Sequence, residues 1–553
     1  MTANVAQRIS HHAVTIPHQI AIASPQGTHR QRSNRTYQTL SFYDLDQRSS
    51  AIAAGLQSMG MRPGQRIALL VRFGEDFIAL VFALLKTGVT LVLIDPGMGR
   101  KNLLHCLAAA EPDGFVAIPQ VHAIRWWYGK AFPRARLNVT VGRRFGFSPS
   151  PTLEQLERSS PNDYRLVDRT DSDPAAVIFT TGSTGPPKGV LYTHGTFNHQ
   201  IDQLVSHYAI VPGRADLSCF PLFGLFNAVM GTTTILPDMN PIRPADVDPP
   251  RLLDAIDQWS ISQSFGSPAL WTAVGNYCQT TGRTVPSLHR VLSAGAPVSP
   301  RILRWMRAAI NEKGEVHTPY GATEALPIAS IESREVLGET ATMAEQGRGT
   351  CVGKRFSGIE WRVIAINDGP IQKIELTEEL ASGTIGELMV AGPVISPEYV
   401  TRQDQNALHK VYDGSRVWHR MGDVGYFDEQ QRFWYCGRKS HRVRNSSLTL
   451  FTEPCEAIIN THPSIYRTAL IGIGAPPKQR PIAVVEPWPD KRPRIGSKEE
   501  MDLLSELQQK INANPVTQAI DEICIYPKRL PTDIRHNSKI FREQLVPWYE
   551  NRQ

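Results

Sequence analysis

Phe179-Thr-Thr-Gly-Ser-Thr-Gly-Pro-Pro-Lys-Gly189 is the stretch from which the rest of the chain is read. Thr180, Thr181, Ser183 and Thr184 offer hydroxyls, Gly182 and Gly185 remove side-chain bulk, and Lys188 adds a cation. Many small donors, a backbone that can approach closely and one positive charge suit a pyrophosphate group. No GxxxxGK[ST] spacing fits, so this is not a Walker A loop. The apolar residues 175–179 just before it read as a buried strand that feeds the loop. Residues 67–71 and 89–94 read the same way, and residues 39–59 and 76–86 read as helices between strands. Strands alternating with helices predict an α/β fold with a largely parallel sheet covered on both faces.

The chain has 553 residues, 41% hydrophobic and 20% charged, with a formal net charge of +7. That is ordinary globular composition and enough length for more than one domain. The positive charge is too diffuse to argue for nucleic acid. The seven cysteines, Cys106, Cys219, Cys278, Cys351, Cys436, Cys455 and Cys524, are widely spaced with no CxxC, so they are expected as reduced thiols of a cytoplasmic protein. The start of the chain lacks the charged-then-apolar order of a signal peptide. The longest apolar run, 77–85, stops at Lys86, too short for a transmembrane segment. Any membrane association is therefore expected to be peripheral.

Residues 119–149 stand out. They carry Arg125, Lys130, Arg134, Arg136, Arg143 and Arg144, no acidic residue, and Trp126, Trp127 and Tyr128 in a row. Such runs are ordinarily solvated faces, so a basic, partly packed surface connection is expected. Contact with a membrane, a partner or an acyl chain is the alternative.

The loop at 179–189 resembles the phosphate loop of the acyl-adenylate-forming superfamily, which includes acyl-CoA synthetases, peptide-synthetase adenylation domains and luciferases, and the resemblance runs over nearly the whole chain. Ser293-Ala-Gly-Ala-Pro297 is similar to the segment lining the adenine, through Gly295, Ala296 and Pro297. Thr318-Pro-Tyr-Gly-Ala-Thr-Glu324 is similar to the YGxTE segment. The resemblance implies that Tyr320 and Gly321 lie along adenine, that Thr323 bonds the α-phosphate and that Glu324 holds Mg²⁺. It also implies that Asp423 and Arg438 bind the ribose, and that Lys539 is the mobile catalytic lysine. ATP and Mg²⁺ are the implied cofactors, with Lys188 and the loop holding the outer phosphates. The implied fold is a large N-terminal region (1–437) of doubly wound subdomains with a small barrel-like part. A smaller, mobile α+β domain (438–553) follows, with the hinge at Ser440.

Four positions depart from the common pattern. Ser440 stands where the hinge usually has Asp or Lys, Arg442-Val-Arg-Asn-Ser-Ser447 lacks the glycine of coenzyme A users, Met421 replaces a threonine, and Gly224 replaces a histidine. Three segments resemble a narrower group, the olefin β-lactone synthetases. They are Thr318–Pro327 in numbering, His419-Arg-Met-Gly-Asp-Val-Gly-Tyr426 with Tyr435-Cys-Gly-Arg-Lys-Ser-His-Arg442, and Asp533-Ile-Arg-His-Asn-Ser-Lys539. That resemblance implies a long-chain β-hydroxy acid as small-molecule substrate, lactone closure by its own hydroxyl, and a downstream β-lactone decarboxylase with other olefin-pathway enzymes as partners. An acyl-CoA synthetase, a fatty-acyl-AMP ligase or a non-catalytic binding protein on the same fold are the alternatives. His419, His441 and His536 are candidate bases for ring closure. Residues 220–231, apolar and uncharged, are expected beside the acyl pocket.

Overall fold

The strand that feeds the phosphate-loop sequence, Pro174–Phe179, lies next to the edge of a six-stranded sheet in the computed structural model, which describes residues 2–27, 35–143, 150–180, 186–533 and 539–552. The order is Leu137–Thr140, Gly114–Ala117, Arg66–Leu70, Thr90–Leu93, Pro174–Phe179 and Gly189–Thr193. The first five are parallel and the last is antiparallel. Helices cover this sheet. In Glu75–Lys86 every residue from Phe77 to Lys86 is buried, as an all-apolar helix must be. The buried Lys86 ammonium is satisfied by Asp46 Oδ1 at 2.7 Å and by the Ser49 and Ser50 hydroxyls.

The expected strands at 67–71, 89–94 and 175–179 fall within a residue of the observed ones. The expected helix at 39–59 starts later, at Phe42. Thr39 and Leu40 instead pair with Ala23 and Ile22 in a strand. Ser41 and Asp44 then form a capping box that begins the helix.

A second sheet starts parallel, through Ile20–Pro25, Thr233–Ile235, Ala215–Ser218, Gln263–Gly266, Arg290–Ser293 and Glu315–Ala322. It continues antiparallel through Ala325–Glu332, Thr350–Arg355, Phe433–Arg438, Arg416–Phe427, Gly386–Ala391 and Glu360–Ile364. This antiparallel arm is the smaller part that the resemblance implied. The motif residues therefore emerge at carboxyl ends of parallel strands, Thr180 from the first sheet, Ser293 and Tyr320 from the second. In open α/β sheets those ends form the ligand crevice.

After Arg438 the chain builds a separate three-stranded sheet, Ile465–Ile473, Arg480–Pro487 and Glu522–Ile525. The helices Thr452–Asn460, Lys498–Asn512 and Arg542–Glu550 accompany it. Its two apolar clusters draw only on residues from Val443 onward.

The strand Thr350–Arg355 supports one wall of the crevice and contains Gly353, with φ at +81° and the Ser330 carbonyl oxygen against its α-carbon. A methyl there meets that oxygen and also strains the backbone. Gly383 has nearly the same φ, +84°, in an open turn with nothing near. Gly353→Ala should therefore lose about 3 kcal/mol or more, and Gly383→Ala about 1 kcal/mol. Denaturant unfolding of the two variants checks this, and equal losses would contradict the packing argument.

Candidate active site

Tyr320, Asp423 and Arg438 meet first. Asp423 and Arg438 face each other across two antiparallel strands. Arg438 Nη1 donates to Asp423 Oδ1 at 2.7 Å, and the Tyr320 hydroxyl donates to Oδ2 at 2.5 Å. Arg438 also donates to the Met421 carbonyl at 3.1 Å. The backbone of Met421 does this work, so the missing threonine side chain does not weaken the clasp. Burial and the Asp423 charge hold the Tyr320 phenol well above its ordinary range, so its hydroxyl stays a donor.

Glu324 lies further along the same crevice and is 8% exposed. Its Oε1 accepts from the Tyr399 hydroxyl at 2.6 Å, and its carbonyl accepts from Ser396 N–H at 2.9 Å. The Thr323 carbonyl accepts from the Tyr192 hydroxyl at 2.5 Å, which ties the segment to the first sheet. Lys188 has its ammonium 3.4 Å from His409 Nε2 and 4.6 Å from the centre of the Tyr399 ring. Thr180 N–H donates to the Lys188 carbonyl at 3.0 Å, and Lys188 N–H donates to Thr180 Oγ1 at 3.1 Å. Both ends of the phosphate-loop sequence are thus pinned together. Thr181, Gly182, Ser183, Thr184 and Gly185 lie outside the described residues.

These groups line one cavity of about 1280 Å³. Ser293, Gly295, Ala296 and Pro297 border it, with Gly295 at φ +97°. Gly321 and Thr323 border it too, and Ser440 in the turn Lys439–His441 lies on its rim. From the C-terminal part come Glu453, Arg542 and Lys539. Lys539 is fixed through its backbone, with N–H donating to Asp533 Oδ1 at 2.9 Å and its carbonyl accepting from Asp533 at 3.1 Å. The structure brings together every described residue that the resemblance implied for ATP, Mg²⁺ and the hinge.

Burial opposes charge on both Glu324 and Lys188. Lys188, the Tyr399 hydroxyl and Lys410 nonetheless hold Glu324 below the ordinary carboxylate range, so it is ionised. Lys188 is lowered by burial against the pull of Glu324. Burial and the adjacent Lys188 push His409 down to about 4, leaving a neutral imidazole whose Nε2 faces the ammonium.

Tyr399, His409 and Lys410 were not anticipated from sequence. Nothing local marks them, because their partners lie far along the chain. The three candidate bases fare differently. His419 is buried in a strand and does not border the cavity. His441 borders it, with burial and two arginines holding it down to about 3. His536 lies outside the described residues. Among the described residues, none from 220 to 231 lines this cavity. Phe223 stacks on Phe265 at 3.5 Å, and Gly224 admits the edge of the Phe73 ring where a side chain would stand.

The donor set fits a nucleoside triphosphate. A cation and hydroxyls stand at one end, a tyrosine and a carboxylate–arginine pair at the other. The buried Ser293 hydroxyl has no hydrogen-bond partner among the described residues. It fits Mg²⁺ as well. Glu324 supplies one hard, ionised oxygen, and no group of three or more metal-ligating side chains exists among the described residues. A cation there would take its other ligands from phosphate and water, the habit of Mg²⁺.

The fold and the cavity lining suit a nucleotide-binding enzyme. A family profile described as "AMP-binding enzyme" matches residues 11–400, and the chain belongs to that family. It is an ATP-dependent, AMP-forming ligase. The chain is 42% identical over 552 residues to the olefin β-lactone synthetase of Stenotrophomonas maltophilia, covering 99% of this chain and 98% of that one. It is 41% identical over 551 residues to the enzyme of the same name from Xanthomonas campestris, covering 99% and 97%. Among solved structures, o-succinylbenzoate coenzyme A synthetase from Bacillus subtilis with ATP and magnesium shares the fold, with a TM-score of 0.74, 18% identity and 99% coverage of both chains.

Lys410 provides a test of the buried electrostatics. Its ammonium donates to the Ser396 carbonyl at 2.5 Å, and Ser396 in turn holds the Glu324 backbone. Burial lowers Lys410 to about 7. Above that value the folded chain carries one proton fewer than the unfolded chain, so this group's contribution to stability rises with pH from about 7 towards the ordinary lysine range. Below about 7 its destabilisation is fully present. Lys410→Met abolishes the titration. The unfolding free energy of the variant relative to wild type should be highest at pH 7 and fall as pH approaches 9.5. A difference independent of pH would show that Lys410 titrates normally.

Proposed function

We propose that this ligase activates a long-chain β-hydroxy carboxylic acid as its acyl-AMP and then closes it to a β-lactone. The substrate carboxylate attacks the α-phosphorus of ATP and pyrophosphate leaves. The substrate's own hydroxyl oxygen then bonds to the acyl carbon, AMP departs with the electron pair of the broken bond, and the hydroxyl proton is released. The full-length identity to the Stenotrophomonas olefin β-lactone synthetase carries this reading. The product is suited to a downstream β-lactone decarboxylase and so to a role in olefin biosynthesis.

In this reading Tyr320 and Gly321 lie along the adenine, with Gly295, Ala296 and Pro297 on its other edge. Asp423 holds the ribose hydroxyls, since each of its oxygens keeps a lone pair beyond those given to Arg438 and Tyr320. Thr323 and Lys539 meet the α-phosphate, where two anions must approach each other. Lys188 and the hydroxyls and amides of Thr180, Thr181, Gly182, Ser183, Thr184 and Gly185 hold the outer phosphates. Glu324 is the protein's ligand to Mg²⁺. When bound, the ion offsets negative charge on the phosphates. Positioning and fixed charge supply the catalysis.

We divide the chain into an AMP-binding domain (1–437) and a lid domain (438–553), with Ser440 at the hinge. Lys439, just before the hinge, pairs with the buried Glu387 at 2.9 Å, and Arg442, just after it, pairs with the exposed Asp368 at 2.6 Å. An external thiol requires a tunnel and an opening movement, whereas a tethered hydroxyl requires orientation alone. No helix among the described residues is long and apolar enough to cross a membrane. We place the enzyme in the cytoplasm with peripheral access to membranes, where a long-chain acid partitions.

With ATP, Mg²⁺ and a β-hydroxy acid, AMP and lactone should appear in equal amounts without any thiol. The matched fatty acid lacking the hydroxyl should stop after about one turnover, its acyl-AMP trapped by hydroxylamine. Acceleration by coenzyme A with accumulation of a thioester would refute the second step. Lys539→Ala should cut acyl-AMP formation by on the order of 10²-fold while ATP still binds.

Tyr399→Phe removes the hydroxyl that donates to Glu324 and leaves a buried carboxylate one hydrogen bond short. It should raise the Mg²⁺ needed for half-maximal adenylation severalfold, and Glu324→Gln should raise it further. An Mg²⁺ titration unchanged in both variants would remove Glu324 from the metal site.

A further inference from the structure

The helix Pro119–Trp127 is seated firmly on one side. His122 is buried and its Nε2 bonds the Val139 carbonyl at 2.9 Å, and Val121 packs on the apolar cluster beneath. The other side faces solvent through Gln120, Ala123, Trp127 and, one turn on, Lys130. Trp126 is 79% exposed and Trp127 78%, with Tyr128 following at 46%. Neither indole makes a ring or cation contact among the described residues. Three consecutive large side chains held outward on an anchored helix are not a frayed end. Other exposed large apolar residues, such as Val14, Leu376 and Ile495, stand singly.

The sequence beside the rings carries charge of one sign. Lys130 and Arg136 are exposed, and no acidic residue occurs from 119 to 149. The carboxylates of Glu111 and Asp113, which precede this stretch, are engaged by Arg134 at 3.7 and 2.8 Å. Tryptophan and tyrosine favour the membrane–water boundary, where one part of the ring is dry and the polar edge stays wet. Exposed lysine and arginine at the same level are attracted to anionic headgroups. A protein partner fits less well. Three rings at the end of a nine-residue helix offer far less than the roughly 1,000 Å² that a stable protein interface buries, and lysine is depleted from such interfaces.

We propose that this face docks the protein on an anionic lipid surface, with Trp126, Trp127 and Tyr128 at headgroup depth and Lys130 and Arg136 against the phosphates. The choice of a lipid over other anionic surfaces rests on the reading that the substrate is a long-chain acid. Docking would bring the enzyme to the phase in which such an acid is concentrated. Salt should weaken the attachment, since the cations are exposed.

The test is sedimentation of the full chain with phosphatidylcholine vesicles, alone or with about one third phosphatidylglycerol. Wild type should bind the anionic vesicles at least tenfold more tightly than the neutral ones, on the order expected for several basic residues. Trp126→Ala with Trp127→Ala should reduce binding to anionic vesicles about tenfold or more. Lys130→Glu and Arg136→Glu together should abolish the preference for anionic lipid. Pyrophosphate release with a short soluble acid should be unchanged in both variants, which reports that they fold. Failure of wild type to bind, equal binding by the variants, self-association through the tryptophans without lipid, or preferential capture of single-stranded nucleic acid would overturn the proposal. Vesicle binding is read without the reaction, so loss of lactone formation and loss of docking are separate outcomes.

Discussion

The Asp423 carboxylate is where three parts of the chain are held to one another. Tyr320 reaches it from the end of a parallel strand, Asp423 itself belongs to the antiparallel arm, and Arg438 is the last residue before the chain leaves for the C-terminal part. A buried carboxylate with one partner would be costly. With a tyrosine on one oxygen and a guanidinium on the other, its charge is satisfied from both sides. The strand register that sets Asp423 opposite Arg438 makes this possible, because a slip by one residue would turn one of them to the other face. Everything that borders the cavity is positioned relative to that clasp.

A second constraint acts at the Glu324 end. Glu324, Lys188, Lys410, His409 and Tyr399 cluster in a largely buried region, and their charges are not independent. The carboxylate stays ionised because the two ammonium groups and a phenol face it. Burial lowers both lysines and the imidazole, and Lys188 lowers His409 and Lys410 further. On the proposed reading, a triphosphate entering with its cation would add several negative charges beside Lys188 and Lys410. It would thereby favour their protonated forms and relieve repulsion among them.

Much of this could be read from the linear sequence because adenylate chemistry sits on short continuous segments at strand ends. Residues 179–189, 293–297 and 318–324 each carry several interacting groups within a few positions, so their chemistry survives without knowledge of the fold. The supporting residues do not. Tyr399 reaches Glu324 across 75 positions and His409 reaches Lys188 across 221, and neither has a local pattern that announces it. The start of the helix at Phe42 was misplaced for a related reason. Thr39 and Leu40 fit a helical pattern, but pairing with Ile20–Pro25 outweighs that local preference. The row Trp126, Trp127 and Tyr128 was visible in the sequence, while its outward orientation depends on which side of the helix His122 anchors.

The proposed hinge joins these observations to the chemistry. Lys439, just before it, shares the buried Glu387 with Arg420, whose guanidinium also donates to the Gly369 and Leu408 carbonyls at 2.7 and 3.0 Å. A rotation about Ser440 would leave that network intact, because all of it precedes Ser440. The pairs it would break are those of Arg442 and Arg444 with Asp368, at 2.6 and 3.1 Å. Asp368 is exposed, so these pairs resist movement only weakly. Ring closure is favoured by tethering instead. A nucleophile already bound two carbons from the reacting carbonyl needs orientation alone, whereas a thiol from solvent must find its way to the acyl-AMP in each turnover.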